Sequence, residues 1–276
     1  MHVATLRLLI TLVLTLWLWS QLAWAATFSW DFETGTYPAG SYPGGPMDPN
    51  LVPPVVLSEG GNHLGRLTAS PSDCGEAFQT TCPQTRAEAW MSGLPDVIGE
   101  SRTYTVSVRI PSSGAGGSNT TAHTALVWQV FEGDYPISAR DIWIGVENGR
   151  LYLANQVRPI PQTSQTVPLE LARDGIAQVV ELGALVYDQW NTYIVTVLQS
   201  LDPATGSVSV KKNGVQMGAI TGQPTKYYVN HTDIYLDVVD RNGTLGIADF
   251  DNVQISTGGS TGDSTPPAPP TALRVQ

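Results

Sequence analysis

Charge is scarce in this 276-residue chain: Asp, Glu, Lys and Arg together make up 14% of it, with 14 basic residues against 24 acidic. The resulting formal net charge of −10 excludes a nucleic-acid binder that relies on a basic surface. Cysteine occurs twice and histidine four times, and no group of them has the ligand spacing of a zinc site. No long stretch carries the 3.6-residue period of an amphipathic helix, which excludes a helical bundle. Past residue 25, no apolar run approaches the roughly 20 residues a membrane-spanning helix needs.

The chain does have one apolar run, at its start. Arg7 precedes Leu8 to Trp19, and Ala23-Trp24-Ala25 follows with the small-x-small pattern of a signal-peptidase site. Residues 1–25 are therefore expected to be a cleaved leader, and the mature protein secreted or periplasmic, with no membrane association after cleavage. The alternative, a membrane anchor, requires a longer run than these 12 or so residues. Export also bears on the cysteines. Cys74 and Cys82 lie close together in "DCGEAFQTTC", and an exported chain normally oxidises such a pair. A small disulfide loop is expected, ending four residues before Arg86.

With 27 Gly, 20 Pro and many short Val/Ile/Thr/Tyr runs bounded by turn residues, the composition predicts an all-β fold. "TYTVSVRI" alternates without a fault, which places Tyr104, Val106, Val108 and Ile110 inward. Similar runs follow at "TALVWQVF", "DIWIGVE", "RLYLANQ", "WNTYIVTVL", "GSVSVKKNGV", "HTDIYLDVV" and "LGIADFDNVQIS", with a hairpin turn expected at Asn213-Gly214. Residues 26–256 suit one large antiparallel two-sheet sandwich. Residues 257–276, "TGGSTGDSTPPAPPTALRVQ", form a linker that cannot build a core. Its end resembles the opening of a fibronectin type III module.

Before that linker, one stretch stands apart. In "TRAEAW", Arg86, Glu88 and Trp90 occupy alternate positions with Ala87 and Ala89 between them. A strand would therefore place a cation, an anion and an indole on one face. A structural ion pair between Arg86 and Glu88 is the plainer reading. "HTDIYLD" behaves similarly, setting His231, Asp233, Tyr235 and Asp237 against Thr232, Ile234 and Leu236. A solvated outer face would read the same way.

Taken in order, "TRAEAW", "YTVSVRIP", "LVWQVF", "WNTYIVTV" with "GSVSVKKNGV", and "YYVNHTDIYLD" resemble the jelly-roll polysaccharide lyases, the alginate-lyase and heparin-lyase-like group. The likeness runs from about Trp30 to Ile255. It implies a two-sheet antiparallel jelly roll of the concanavalin A type, with an acidic polysaccharide lying along one sheet. It places Arg86 and Glu88 on the family's R-x-E segment, Gln129 on the glutamine of its Q-x-H segment, and Tyr235 on its closing tyrosine. Phe131 stands where that family has histidine, and His231 falls near its lysine.

The chemistry implied is β-elimination from a 4-linked uronate. The C5 proton becomes removable only when charge building on the adjacent carboxylate is neutralised by fixed donors, here Arg86 and Gln129. A base takes that proton and an acid protonates the leaving O4. Tyr235 can do either, provided its pKa of about 10 is lowered. On this reading Glu88 orients Arg86, and His231 is a candidate substitute for the missing histidine. Trp90 and Trp143 are candidate sugar platforms, although core packing is the commoner use of tryptophan. Asp233 and Lys226 are further candidates for substrate contact, while His123 lies too far along its strand to join them.

Two rivals remain open. A glycoside hydrolase of this fold would show E-x-D-x-x-E, but "EGDYPI" has Ile137 in the last place. A non-catalytic glycan-binding module is the stronger rival, and Phe131 argues for it. The chemistry needs no cofactor. The resemblance also suggests a structural calcium at Glu33, Asp249 and Asp251, where "WDFETG" and "ADFDNVQIS" approach the two ends of the domain. The chain is expected to act as a monomer.

Overall fold

The computed structural model describes residues 27–35, 42–43, 54–69, 85–114, 117–118, 125–132, 140–157, 176–226, 231–240 and 246–257. The leader, Cys74 and Cys82 with their expected disulfide, His123 and residues 258–276 lie outside that set. Every regular element among the described residues is a strand. In chain order these are β1 (Thr27–Trp30), β2 (Tyr42–Pro43), β3 (Val55–Glu59), β4 (Asn62–Ala69), β5 (Thr85–Pro95) and β6 (Ser101–Arg109). The short β7 (Ser113–Gly114) and β8 (Gly117–Ser118) follow, then β9 (Ala125–Glu132), β10 (Arg140–Glu147), β11 (Arg150–Val157) and β12 (Ile176–Ala184). The last five are β13 (Asn191–Leu198), β14 (Ser207–Lys212), β15 (Val215–Thr221), β16 (His231–Asp240) and β17 (Gly246–Thr257).

Fifteen of them assemble into two antiparallel sheets, while β7 and β8 pair only with each other. One runs β15-β14-β13-β6-β17-β4-β3, with β1 paired to β17, and the other runs β12-β11-β10-β9-β16-β5-β2. Half of the neighbouring pairs in these orders are consecutive strands and half are distant in sequence, because the chain passes from one sheet to the other. This is the two-sheet jelly-roll sandwich.

Binary patterning decides what fills the space between the sheets. Tyr104, Val106, Val108 and Ile110 are buried at 3%, 0%, 4% and 4% exposure, as the alternation of "TYTVSVRI" requires. From the opposite sheet come Ala87, Ala89, Trp128, Val130, Ile142, Ile144, Ile234, Leu236 and Val238. Each buried Val, Ile or Leu contributes about 1.5–3 kcal/mol. Tyr104 and Trp128 meet edge to face across the gap, their ring centroids 5.8 Å apart; such a pair adds about 0.5–1.5 kcal/mol.

Two turns show why particular residues occupy them. Asn213 and Gly214 both take positive φ, 50° and 79°, the left-handed conformation a two-residue hairpin demands. Phe32 also has positive φ, 58°, which is unfavourable for a bulky side chain. Its ring is 1% exposed and lies over Gly65, where a Cβ would come within 2.6 Å of it. The close approach explains the glycine, and the burial holds the strained turn.

Candidate functional site

Four adjacent strands of the seven-stranded sheet, β5, β16, β9 and β10, carry Arg86, Glu88, Trp90, Gln129, Phe131, Trp143, His231, Asp233 and Tyr235. Ala87 and Ala89, Ile234, Leu236 and Val238, Trp128 and Val130, and Ile142 and Ile144 all belong to the core. By alternation, positions 86, 88, 90, 129, 131, 143, 233 and 235 fall on the opposite face of this sheet. Register then sorts them into rows. Trp90 is the partner of Tyr235, Tyr235 of Gln129, and Gln129 of Trp143. Directly opposed residues have Cα atoms about 4.5–5.5 Å apart, so these four positions form one continuous line across the sheet. Tyr42 on β2 extends it as the partner of Trp90. Nothing in the sequence pointed to Tyr42 beyond an aromatic residue set among Gly and Pro.

Exposure along the row is uneven. Tyr235 is half-buried, Gln129 is 5% exposed and Trp143 is 0% exposed. A fully buried indole has no free face for a sugar ring, so Trp143 packs as a structural member of the row and is not the platform expected above. Asp233, 6% exposed, sits in the adjacent row opposite Phe131, which is itself opposite Asp141. Phe131 thus occupies the middle of a row flanked by two carboxylate-bearing positions.

Arg86 and His231 leave the row in opposite directions. Arg86 is opposite Val239, four residues from Tyr235 along β16. His231 is opposite Pro95, four residues from Tyr235 the other way. At about 3.4 Å per residue each backbone position is about 13 Å from Tyr235. The structure therefore brings Gln129 and Tyr235 together and sets the backbone of Arg86 well apart from both, with Glu88 between them opposite Asp237. The side chains of Arg86, Glu88, Trp90, Phe131 and His231 lie outside the described set; their strand positions do not.

Lys226 is elsewhere. Its Nζ lies 2.8 Å from Asp96 Oδ1 and donates to Thr232 Oγ1 at 2.5 Å, while the Thr232 hydroxyl donates to Asp96 Oδ1 at 2.6 Å. Thr232 shares the core parity of Ile234, and all three residues are buried. Lys226 is thus a buried cation between the sheets, not a substrate contact on the open face. Its position outside any regular strand concealed this.

Nor are Glu33, Asp249 and Asp251 gathered as metal ligands. Asp249, on β17, is the cross-strand partner of both Arg66 on β4 and Arg109 on β6. Arg66 donates to its two oxygens at 2.6 and 2.8 Å, and Arg109 donates to Oδ2 at 2.9 and 2.7 Å. Two guanidinium groups enclose a carboxylate that is 0% exposed. Arg109 also reaches Glu59 at 2.8 Å and lies over the Trp190 ring, 4.9 Å from its centroid. Asp251 faces a different environment. Burial pushes its carboxyl up to about 6, opposed by a hydrogen bond from the Asn252 amide and reinforced by the nearby charges of Glu33 and Asp31. Among the described residues, no group of three His, Cys, Asp or Glu is arranged to hold a metal ion.

No family model matches this sequence, and no curated protein does. Solved structures resemble its fold. The endo-β-1,4-glucuronan lyase of the fungus Trichoderma reesei aligns with a TM-score of 0.52 and 12% identity, over 74% of this chain and 86% of that one. The carbohydrate recognition domain of Emp47p aligns at 0.52 and 13% identity, over 84% and 96%. A carbohydrate esterase of the Shiga toxin-encoding bacteriophage phi24B aligns at 0.52 and 11%, over 85% and 100%. A lyase, a binding domain and an esterase thus share one sandwich with this chain, and the fold alone does not choose among their activities.

Proposed function

We propose that this protein is a polysaccharide lyase that cleaves 4-linked polyuronates by β-elimination, with Tyr235 as the proton-transfer group. The observation that carries this reading is the direct cross-strand pairing of half-buried Tyr235 with Gln129, and with Trp90 on its other side. As phenolate, Tyr235 would take the C5 proton; the electron pair forms the C4–C5 double bond as the C4–O4 bond breaks. The phenol then returns its proton to the departing O4, so no net proton is gained or lost. Gln129 supplies N–H donors one strand away, suited to the substrate carboxylate as charge builds on it. The position of Trp90 suits a sugar ring seated against the row.

Placing Arg86 about 13 Å along the strand gives it a neighbouring sugar's carboxylate to bind, not that of the reacting residue. Export to the exterior or periplasm belongs to the same proposal and rests on the leader.

A second reading, a glycan-binding module without catalysis, is favoured by Phe131, which offers no proton acceptor at the centre of its row. Incubation with a panel of polyuronates separates the two. The lyase reading expects an unsaturated, ultraviolet-absorbing product from at least one polymer. The module expects retention on an immobilised polyuronate with no such product from any.

A further inference from the structure

At the end of the sandwich that holds Asp96 and Lys226, the space between the sheets has more hydrogen-bond donors than partners for them. Arg102 is 1% exposed. Its Nη2 donates to Pro95 O at 2.6 Å, while its buried Nε and Nη1 have no hydrogen-bond partner among the described residues. Gln199 is also 1% exposed. Its Oε1 accepts from Val97 N at 2.9 Å, and its backbone is tied on both sides, N to Glu100 O and O to Gly99 N. The buried Nε2 of the same amide has no hydrogen-bond partner among the described residues. With Oε1 fixed by Val97, the amide cannot flip to relieve this.

The two residues occupy neighbouring strand positions. Arg102 is the cross-strand partner of Val197, and Gln199 follows two residues on along the same inward face. Such diagonal positions are about 7–8 Å apart, within reach of long side chains. A guanidinium cannot deprotonate to escape burial, and a buried charge without a counter-charge is strongly unfavourable. The buried Tyr104 hydroxyl is a side-chain hydrogen-bond partner of Arg102 but carries no charge, and the adjacent carboxylate, Asp96, is engaged by Lys226 and Thr232.

We propose that Arg102 Nε and Nη1 together with Gln199 Nε2 bind a monovalent anion of halide size between the two sheets. Arg102 Nε and Nη1 and Gln199 Nε2 are three buried donor nitrogens on two neighbouring residues, with no hydrogen-bond partner among the described residues. A halide ion accepts from all three and neutralises the guanidinium. A water molecule accepts from two, and its own protons then need acceptors. The site is internal, so the ion belongs to the folded state and couples stability to halide concentration.

Crystals of the full chain grown or soaked in sodium bromide test this directly. The expected result is an anomalous bromide peak within hydrogen-bond distance of Arg102 Nε or Nη1. In solution at constant ionic strength, replacing sodium gluconate by sodium chloride should raise Tm by about 3–5 °C per tenfold increase beyond the dissociation constant. Arg102→Met, which removes the charge and keeps an apolar stem, should abolish that dependence. An ordered water with no anomalous signal beside Arg102 in the wild-type crystals would overturn the proposal, whether or not the variant folds.

Discussion

Tyr235 on β16 is the cross-strand partner of Gln129 on β9, which places a phenol and a carboxamide on neighbouring strands of one sheet. The pair is central to the proposed chemistry because proton transfer and charge neutralisation must act on adjacent atoms of one sugar. Gln129 is buried, at 5% exposure.

Gln129→Leu removes the carboxamide donors while conserving volume. If Gln129 neutralises the developing charge, kcat should fall by about 10²–10³, as loss of one fixed donor commonly does, with a smaller change in KM. Steady-state kinetics on whichever polymer the wild type cleaves gives the answer. A rise in KM alone would mean that Gln129 contributes only binding.

Asp249→Ala tests the ion-pair hub. Removing the carboxylate leaves Arg66 and Arg109 facing each other without their shared counter-charge, which is destabilising by about 3–5 kcal/mol. Urea unfolding monitored by tryptophan fluorescence measures the loss. A change of a few tenths of a kcal/mol would show that solvent satisfies both arginines equally well.

The carboxyl of Asp251 is raised to about 6 in the folded chain, chiefly by burial, against an ordinary value near 4. Folding therefore takes up a proton between those values. The stabilising contribution is complete below about pH 4 and is lost as pH rises through about 6. Asp251→Asn keeps the acceptor for the Asn252 amide and cannot ionise. It should match the wild type in stability near pH 4 and exceed it above about pH 7 by about 1–2 kcal/mol, allowing for solvent screening. Unfolding free energies across that range check the sign. Parallel curves for the two proteins would show that Asp251 ionises without penalty.

Much of the fold was legible because strand alternation is a local signal. The core face of "TYTVSVRI", the Asn213-Gly214 turn and the separation of Ala87 and Ala89 from the R-x-E positions all follow from period two and turn chemistry. Register was not legible. Parity places Arg86, Gln129 and Tyr235 on one face, but only strand pairing shows that Gln129 adjoins Tyr235 while Arg86 is opposite Val239. Long-range partners were hidden for the same reason. Asp249 looks like an open oxygen ligand until Arg66 and Arg109, 183 and 140 residues away, are seen to enclose it. Lys226 looks like a cleft cation until Asp96 and Thr232 are found beside it. The runs that became β3, β4 and β12 were too weakly alternating to stand out alone.

The most direct test follows product absorbance on mannuronan, glucuronan and guluronan with the wild type and with Tyr235→Phe. One tyrosine working from one side of the sugar suits syn elimination, in which the C5 proton and O4 lie on the same face, as they do in mannuronate and glucuronate. The account predicts that the wild type releases unsaturated product from mannuronan or glucuronan and not from guluronan. It also predicts that Tyr235→Phe, folded by circular dichroism, releases none. A variant that cleaves at the wild-type rate, or a wild type equally fast on mannuronan and guluronan, would contradict it.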